Sequence, residues 1–396
     1  MSDNRSQPRI SLFSPEHPLW LVGFRPFFTL VCLSGVVLPL LWAVLWTKGL
    51  SPSETLSNVQ WHAHEMFFGF GWALLGGFLL TSTKNWVNIR GYHGLTLMAL
   101  VLAWCLERVS LLMGPAWPRL VFLLANNLFL VGIIGLLLWT LIRYRGQDSY
   151  RDNGFFILAL PLFVVAKQWL LDPASFQQGV DMALALFRLA FIIMLERTLV
   201  PFMKGGLGIV LPAFPRLGFV VKGLAFALVF NFALPTALTV TFTLLLAAGL
   251  LFRFLRWSPL KAFTRIDIGI MYVGWLAIIG QLLLTVLAVL APQDWVGTLS
   301  IHVFTFGAMG CIIPAMVTRI SRGHTGRKVA FDGVDRAILY VMLLAFLIRI
   351  VLPQWFPGLY LAWIHAAATA WALGFAGLAW RNVPFLWQAR IDGRVH

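Results

Sequence analysis

The chain carries little charge. Asp, Glu, Lys and Arg make up 11% of its 396 residues, where a soluble domain carries about 25%. Hydrophobic residues reach 60%, which excludes an ordinary water-soluble fold and places the chain in the membrane class. Cysteine is scarce as well. Cys32, Cys105 and Cys311 stand singly in apolar stretches without a CxxC pair, which excludes a disulfide framework and a thiolate zinc site. Each reads as a small buried hydrophobe. Acidic residues number only 15 against 30 Lys and Arg, a net charge of +15. No basic tail or basic–aromatic platform goes with that excess, so no nucleic acid partner is expected. The cations fall in short turns between apolar runs, the positive-inside pattern of membrane proteins. Met1 to His17 is polar and the apolar run after it is too long for an h-region, so no signal peptide is expected.

What is present is a series of long apolar runs. At about 20 residues per crossing they give twelve candidate spans: 21–47, 60–82, 94–113, 117–142, 154–171, 180–202, 217–233, 235–256, 266–291, 295–318, 333–352 and 357–380. Asn231 to Pro235 reads as a turn; a kink there would leave eleven spans. Lys84 and Arg90, Arg143 to Arg151, Lys204 and Arg216, Arg253 to Arg265, and Arg319 to Lys328 occupy alternate turns, while the intervening turns are almost bare. The expected fold is an all-α polytopic bundle of about 12 spans with both termini cytoplasmic. It forms one integral membrane domain over 1–396, with a segment 1–18, a bundle 19–382 and a tail 383–396. The bilayer is the one certain partner.

The chemistry-bearing residues cluster. Residues 60–70 read Gln-Trp-His-Ala-His-Glu-Met-Phe-Phe-Gly-Phe, placing His62, His64 and Glu65 at the mouth of an apolar helix, where ionisable groups are costly and mark a pathway, cofactor or metal. His302 and His365 lie about eight residues into the tenth and twelfth spans, hence ~12 Å below the outer surface at 1.5 Å per residue. Four histidines thus share one half of the membrane, while His17, His93, His324 and His396 belong to the other side. Imidazole is the commonest metal ligand, and haem iron and copper both suit it. Residues i and i+2 on a helix diverge by ~200°, so His62 and His64 do not point at one centre in a regular helix. Around His302 the run His-Val-Phe-Thr-Phe-Gly-Ala-Met-Gly makes Gly307 and Met309 candidate neighbours of a flat ligand. Arg188 and Arg349, in the same half, suit its acidic groups. His64 and His302 are each followed by Phe at +4 and Gly at +5. Because they lie on the second and tenth spans, this echo reads as coincidence rather than a two-half repeat.

The chain resembles the NnrS family of bacterial membrane proteins over most of its length. The resemblance rests on Gly23-Phe-Arg-Pro-Phe-Phe28, Trp61-His-Ala-His-Glu-Met66 with Gly69-Phe70, Asn85-Trp86, Phe252-Arg-Phe-Leu-Arg-Trp257, His302 with Gly307-Ala-Met-Gly310, Met316-Val-Thr-Arg319 and Gly323-His-Thr-Gly-Arg327. It implies an inner-membrane protein of the nitric oxide response that binds haem b and copper, with His62, His64, His302 and His365 as metal ligands. Nitric oxide or another small diatomic is the implied partner, together with an unknown electron donor. There are two departures. Thr198 stands where the family's Arg-Arg-Val-Ile-Pro-Phe-Phe stretch has its second arginine, and the ninth span has no histidine, which counts against copper.

Whether the chain turns over nitric oxide is open. If it is an oxidoreductase, Glu65 is the candidate proton donor. Two other classes compete: a transporter, which also fits twelve spans with cytoplasmic termini, and an assembly factor for haem–copper enzymes.

Overall fold

The structure is a computed structural model that describes residues 10–53 and 56–394. The first nine residues of the polar N-terminal stretch, and His396, lie outside the described residues. Among the described residues there is no strand. Twelve long helical segments follow one another: α1 Phe24–Thr47, α2 Asn58–Trp86, α3 Leu95–Met113, α4 Arg119–Arg143, α5 Arg151–Leu171, α6 Phe176–Leu207, α7 Pro215–Ala233, α8 Thr236–Arg256, α9 Ile266–Leu290, α10 Leu299–Gly323, α11 Gly333–Trp355 and α12 Pro357–Leu386. Eleven of these are long and apolar enough to cross a membrane.

The exception is α6, the helix that contains the expected span 180–202. It is 32 residues long and carries Asp181, Arg188, Glu196, Arg197 and Lys204. It is a long helix as expected, but one loaded with charge that its neighbours must neutralise. The turn expected at 231–235 is present: α7 ends at Ala233 and Pro235 caps α8. Pro161 and Pro314 sit inside continuous helices, so neither breaks a helix as a carrier's binding site would require.

Of the eleven spans two are enclosed by the rest, as is α6 between Gly179 and Leu195. The apolar stretch of α2 is 83% buried and that of α10 78%, against 33–56% for the other nine. These are the two helices that bear the histidine segments. Glycines let neighbours approach them closely: a Cβ on Gly77 would lie 2.5 Å from Phe27 of α1, and one on Gly310 2.6 Å from Trp371 of α12. The α2 start is fixed by a capping box, in which Ser57 accepts from the Gln60 amide and Gln60 accepts from the Ser57 amide. That box sets the azimuth of His62 and His64.

Both enclosed spans depart from α-geometry at the same place. Glu65–Gly71 and Val303–Met309 are π-helical, each beginning one residue after a histidine. The Phe at +4 and Gly at +5 thus mark a shared local structure. The two rings even meet their phenylalanines alike, at 5.7 Å for His64–Phe68 and 5.9 Å for His302–Phe306. The expectation of coincidence is corrected.

At the other end of the bundle several cations are paired or stapled. Arg25 donates to the Leu386 and Gln388 carbonyls, Arg319 pairs with Asp267 and Arg322 with Asp335, and Arg327 donates to the Gln388 side chain, so the Arg319–Arg327 turn is a packed connection. Cys32 and Cys311 are buried, whereas Cys105 is exposed on the outer face of α3.

Candidate functional site

An apolar cavity of about 140 Å³ lies at the end of the bundle where α2, α6, α10 and α12 begin and α1 and α11 finish. His62 and Met66 face it from α2, His302 and Met309 from α10, and Arg349 from α11. The geometry of His302 is directed. Its Nδ1 lies 2.9 Å from the Thr298 carbonyl and 2.8 Å from the Thr298 hydroxyl. A ring nitrogen that donates to a carbonyl fixes the tautomer and leaves Nε2 with its lone pair. His62 stacks on Trp42, ring centroids 4.1 Å apart, and among the described residues its ring nitrogens have no hydrogen-bond partner.

The charge of this cavity is unbalanced. Arg349 is 6% exposed. Its polar neighbours are the two ring nitrogens of His302, each 3.4 Å from Nη2, and it faces the Tyr360 ring. Among the described residues no carboxylate lines the cavity. Trp42 and Trp371, which also line it, have buried indole N–H groups without partners. Donors left unpaired in an apolar site carry a desolvation penalty, and an acceptor-rich anion would remove it.

The other predicted residues go elsewhere. His64 is fully buried on the opposite side of α2, as the i,i+2 divergence requires. Its Nδ1 lies 3.2 Å from Glu65 and its Nε2 3.2 Å from Glu107. Arg108 Nε lies 3.0 Å from Glu65 and Arg108 Nη2 3.2 Å from Glu107. Lys167 bridges Glu107 and the Asn126 carbonyl. The formal charges of Glu65, Glu107, Arg108 and Lys167 cancel.

His365 does not reach the cavity, because its Nε2 turns to the Thr47 hydroxyl at 2.7 Å. Arg188 donates to Gln281 at 2.8 Å, across to α9, and does not line the cavity. Gly307 serves packing instead: a Cβ there would lie 2.5 Å from Ala277 and 2.8 Å from the Phe346 ring. The structure therefore brings His62, His302, Met309 and Arg349 together and leaves His64, His365, Arg188, Gly307 and Glu65 outside. Among the described residues no three His, Cys, Asp or Glu side chains form a metal-holding group.

Sequence reasoning missed Trp42, Trp371, Met66 and Thr298 as cavity residues. It also missed the Glu107–Lys167 pair, although both are ionisable residues inside apolar spans and so carried a signal.

The residues present fit a haem in chemistry. His302 offers a freed nitrogen, His62 offers unpaired ones, and Arg349 with two indole N–H groups offers donors for carboxylates. The cavity as it stands has room for a diatomic gas or one aromatic ring, since a comparable apolar cavity of roughly 150 Å³ admits benzene. A macrocycle is several times larger than one aromatic ring, so holding it requires the helices lining the cavity to move apart as well as Met66 and Met309 to shift.

A family model described as NnrS protein matches residues 18–390, nearly the whole chain. No curated protein matches it.

Proposed function

The chain belongs to the NnrS family, and from that premise we propose that it holds haem b in the cavity between His62 and His302 and binds nitric oxide there as part of the nitrosative stress response. The single observation that carries the reading is the buried Arg349, without a carboxylate partner among the described residues, beside His302 in the cavity that His62 also lines. Haem is a flat, apolar body with two carboxylates, and it answers each unmatched feature of the cavity. Bound haem iron would supply the site that takes a diatomic ligand. The chain's own residues do the rest: Thr298 orients His302, Arg349 and the indoles hold carboxylates, and the apolar walls exclude water.

We place the cavity on the periplasmic side of a bacterial inner membrane. The support is the charge asymmetry between the turns, with Lys and Arg concentrated at the far end. Copper is the second reading, because the thioethers of Met66 and Met309 line the same cavity as the two histidines and soft ligands select Cu(I). Glu65 lies outside the cavity, so the proposal is binding rather than turnover.

The test is the absorption spectrum of dithionite-reduced protein purified with adequate haem supply, with and without nitric oxide, and its metal content. A haem spectrum that shifts with nitric oxide and disappears in His302→Ala is expected. A colourless wild-type preparation overturns the proposal, and stoichiometric copper without haem selects the second reading.

A further inference from the structure

A second opening, of about 1230 Å³, lies at the far end of the bundle. The starts of α5 and α7, the C-terminal half of α6 and the link from α6 to α7 enclose it. Its character changes with depth. Ser149, Tyr150, Arg151 and Asp152 ring its mouth. Farther in, its walls include Leu158 of α5 and Phe219 of α7, which are 58% and 66% exposed. Leu158 is seven residues beyond Arg151, hence ~10 Å deeper at 1.5 Å per residue. Both helices are apolar enough to cross a membrane. The walls therefore face lipid, while the mouth is level with the helix ends.

The ion pairs at this opening do not balance. Asp152 pairs with Arg197 at 2.8 Å and with Lys222 at 2.6 Å. Glu196 pairs with Lys222 at 2.8 Å and with Arg253 at 3.3 Å. Arg151 is exposed, and its side chain has no partner among the described residues. The neighbouring Asp148 is taken by Arg145. Four cations thus stand against two carboxylates. Arg197 and Arg253 are buried, so they act through their field, whereas Arg151 can touch a ligand. The exposed hydroxyls of Ser149 and Tyr150 are likewise without hydrogen-bond partners among the described residues. Acceptors remain open as well: the Asp152 and Glu196 side chains line the opening and are 20% and 24% exposed.

We infer that this opening holds one anionic phospholipid of the adjoining leaflet, with a hydroxyl-bearing head of the phosphatidylglycerol type. The occupant is an amphiphile, because the surroundings pass from polar at the helix ends to apolar and lipid-facing below. Its head is anionic, because a surplus of two positive charges stands at the mouth; basic pockets between transmembrane helices take anionic headgroups. A zwitterionic head would leave that surplus standing. Its phosphate meets Arg151 and the two free hydroxyls in charge-assisted hydrogen bonds. Its own hydroxyls donate to the open oxygens of Asp152 and Glu196, which would repel a second anionic group. The opening is at the opposite end of the bundle from His302, so its occupancy does not depend on what fills the histidine cavity.

The test uses the full chain in non-ionic detergent, given phosphatidylglycerol and phosphatidylcholine of matched acyl chains in equal amounts and read by native mass spectrometry. One phosphatidylglycerol per chain is expected, retained roughly tenfold better than phosphatidylcholine. Arg151→Gln, which removes the exposed cation, cuts that preference several-fold. Leu158→Trp, which narrows the apolar wall without touching a charge, weakens phosphatidylglycerol binding. Lys261→Gln, at an exposed lysine of the same end outside the opening, changes neither, and nor does His302→Ala. Equal retention of the two lipids overturns the proposal. So does an unchanged preference in folded Arg151→Gln, or unchanged binding in folded Leu158→Trp. Displacement of the lipid by an equal concentration of glycerol phosphate also overturns it, because the opening would then be a plain anion site.

Discussion

His64 and His302 open the same local design and end in opposite electrostatic states. Each is followed immediately by a π-helical segment, each packs on the phenylalanine four residues on, and each lies near an arginine from the helix that follows, Arg108 on α3 or Arg349 on α11. Around His64, Glu65 and Glu107 arrive with Lys167, and the region is full and neutral. Around His302 no carboxylate among the described residues lines the cavity, and the cation faces open space. One scaffold closed by internal counter-charges is a structural knot; the same scaffold left without them is a binding site. π-segments are rare and occur often at functional sites. Here one of the two shows what the motif looks like when the chain itself supplies the partners.

The contrast is most sharply tested by removing one cation from each region. Lys167→Met leaves Glu107 buried without its lysine, and breaking such a pair costs about 3–5 kcal/mol; the denaturation midpoint in detergent should fall accordingly. Arg349→Met removes a cation that has no acid among the described residues, so the cofactor-free protein should be as stable as the wild type or more so, while haem retention drops. Similar destabilisation in both variants would abolish the distinction.

A smaller effect is expected one step out from the cavity. Thr298→Val removes the hydroxyl that helps orient His302 and leaves the carbonyl, so haem affinity should fall by about tenfold, the low end for outer partners of a metal ligand. The matching change near the closed region, Asn126→Ala, which leaves the Asn126 carbonyl to Lys167, should leave haem affinity unaltered.

A further effect belongs to neither region and serves as their control. His324, at the far end, has its imidazole pushed down to about 4 by burial and by the nearby cations Lys84, Arg390 and Arg25. The unfolded chain takes up that proton near pH 6.5 and the folded chain only near 4. The contribution is therefore complete above about pH 6.5 and is lost as the pH falls toward 4. The thermal midpoint should decline over that window by a few degrees and flatten in His324→Gln. A decline that persists in His324→Gln would assign the loss to another group, such as His17, whose imidazole burial and Arg25 also push down.

Much of this was legible in the sequence. Scarce charge and twenty-residue apolar runs gave the membrane class and the helices, and α7 and α8 separate at the turn placed at Asn231 to Pro235. The divergence of i and i+2 anticipated that His62 and His64 would face apart. It did not say which would meet a carboxylate, because Glu107 is 43 residues from His64 in the chain. His365 was expected in the same layer and lies at that end of the bundle, but one helical azimuth sends it to Thr47. The π-segments were visible only as a repeated Phe-Gly spacing, which propensity does not interpret, since the extra residue per turn is stabilised by the tertiary packing around it. Arg188 was expected to face a ligand's acidic groups, and the sequence did not reveal that its Nη1 reaches Gln281 on α9 instead.

Hydropathy is a sum over adjacent residues, so the sequence by itself determined that the chain enters a membrane, where its helices run, which histidines share a depth and which family it resembles. Electrostatic satisfaction is a sum over spatial neighbours that come from helices far apart in the chain. Only the tertiary structure therefore decided that Glu65, Glu107, Arg108 and Lys167 balance beside one histidine segment, and that Arg349 is left facing a cavity without a carboxylate among the described residues beside the other.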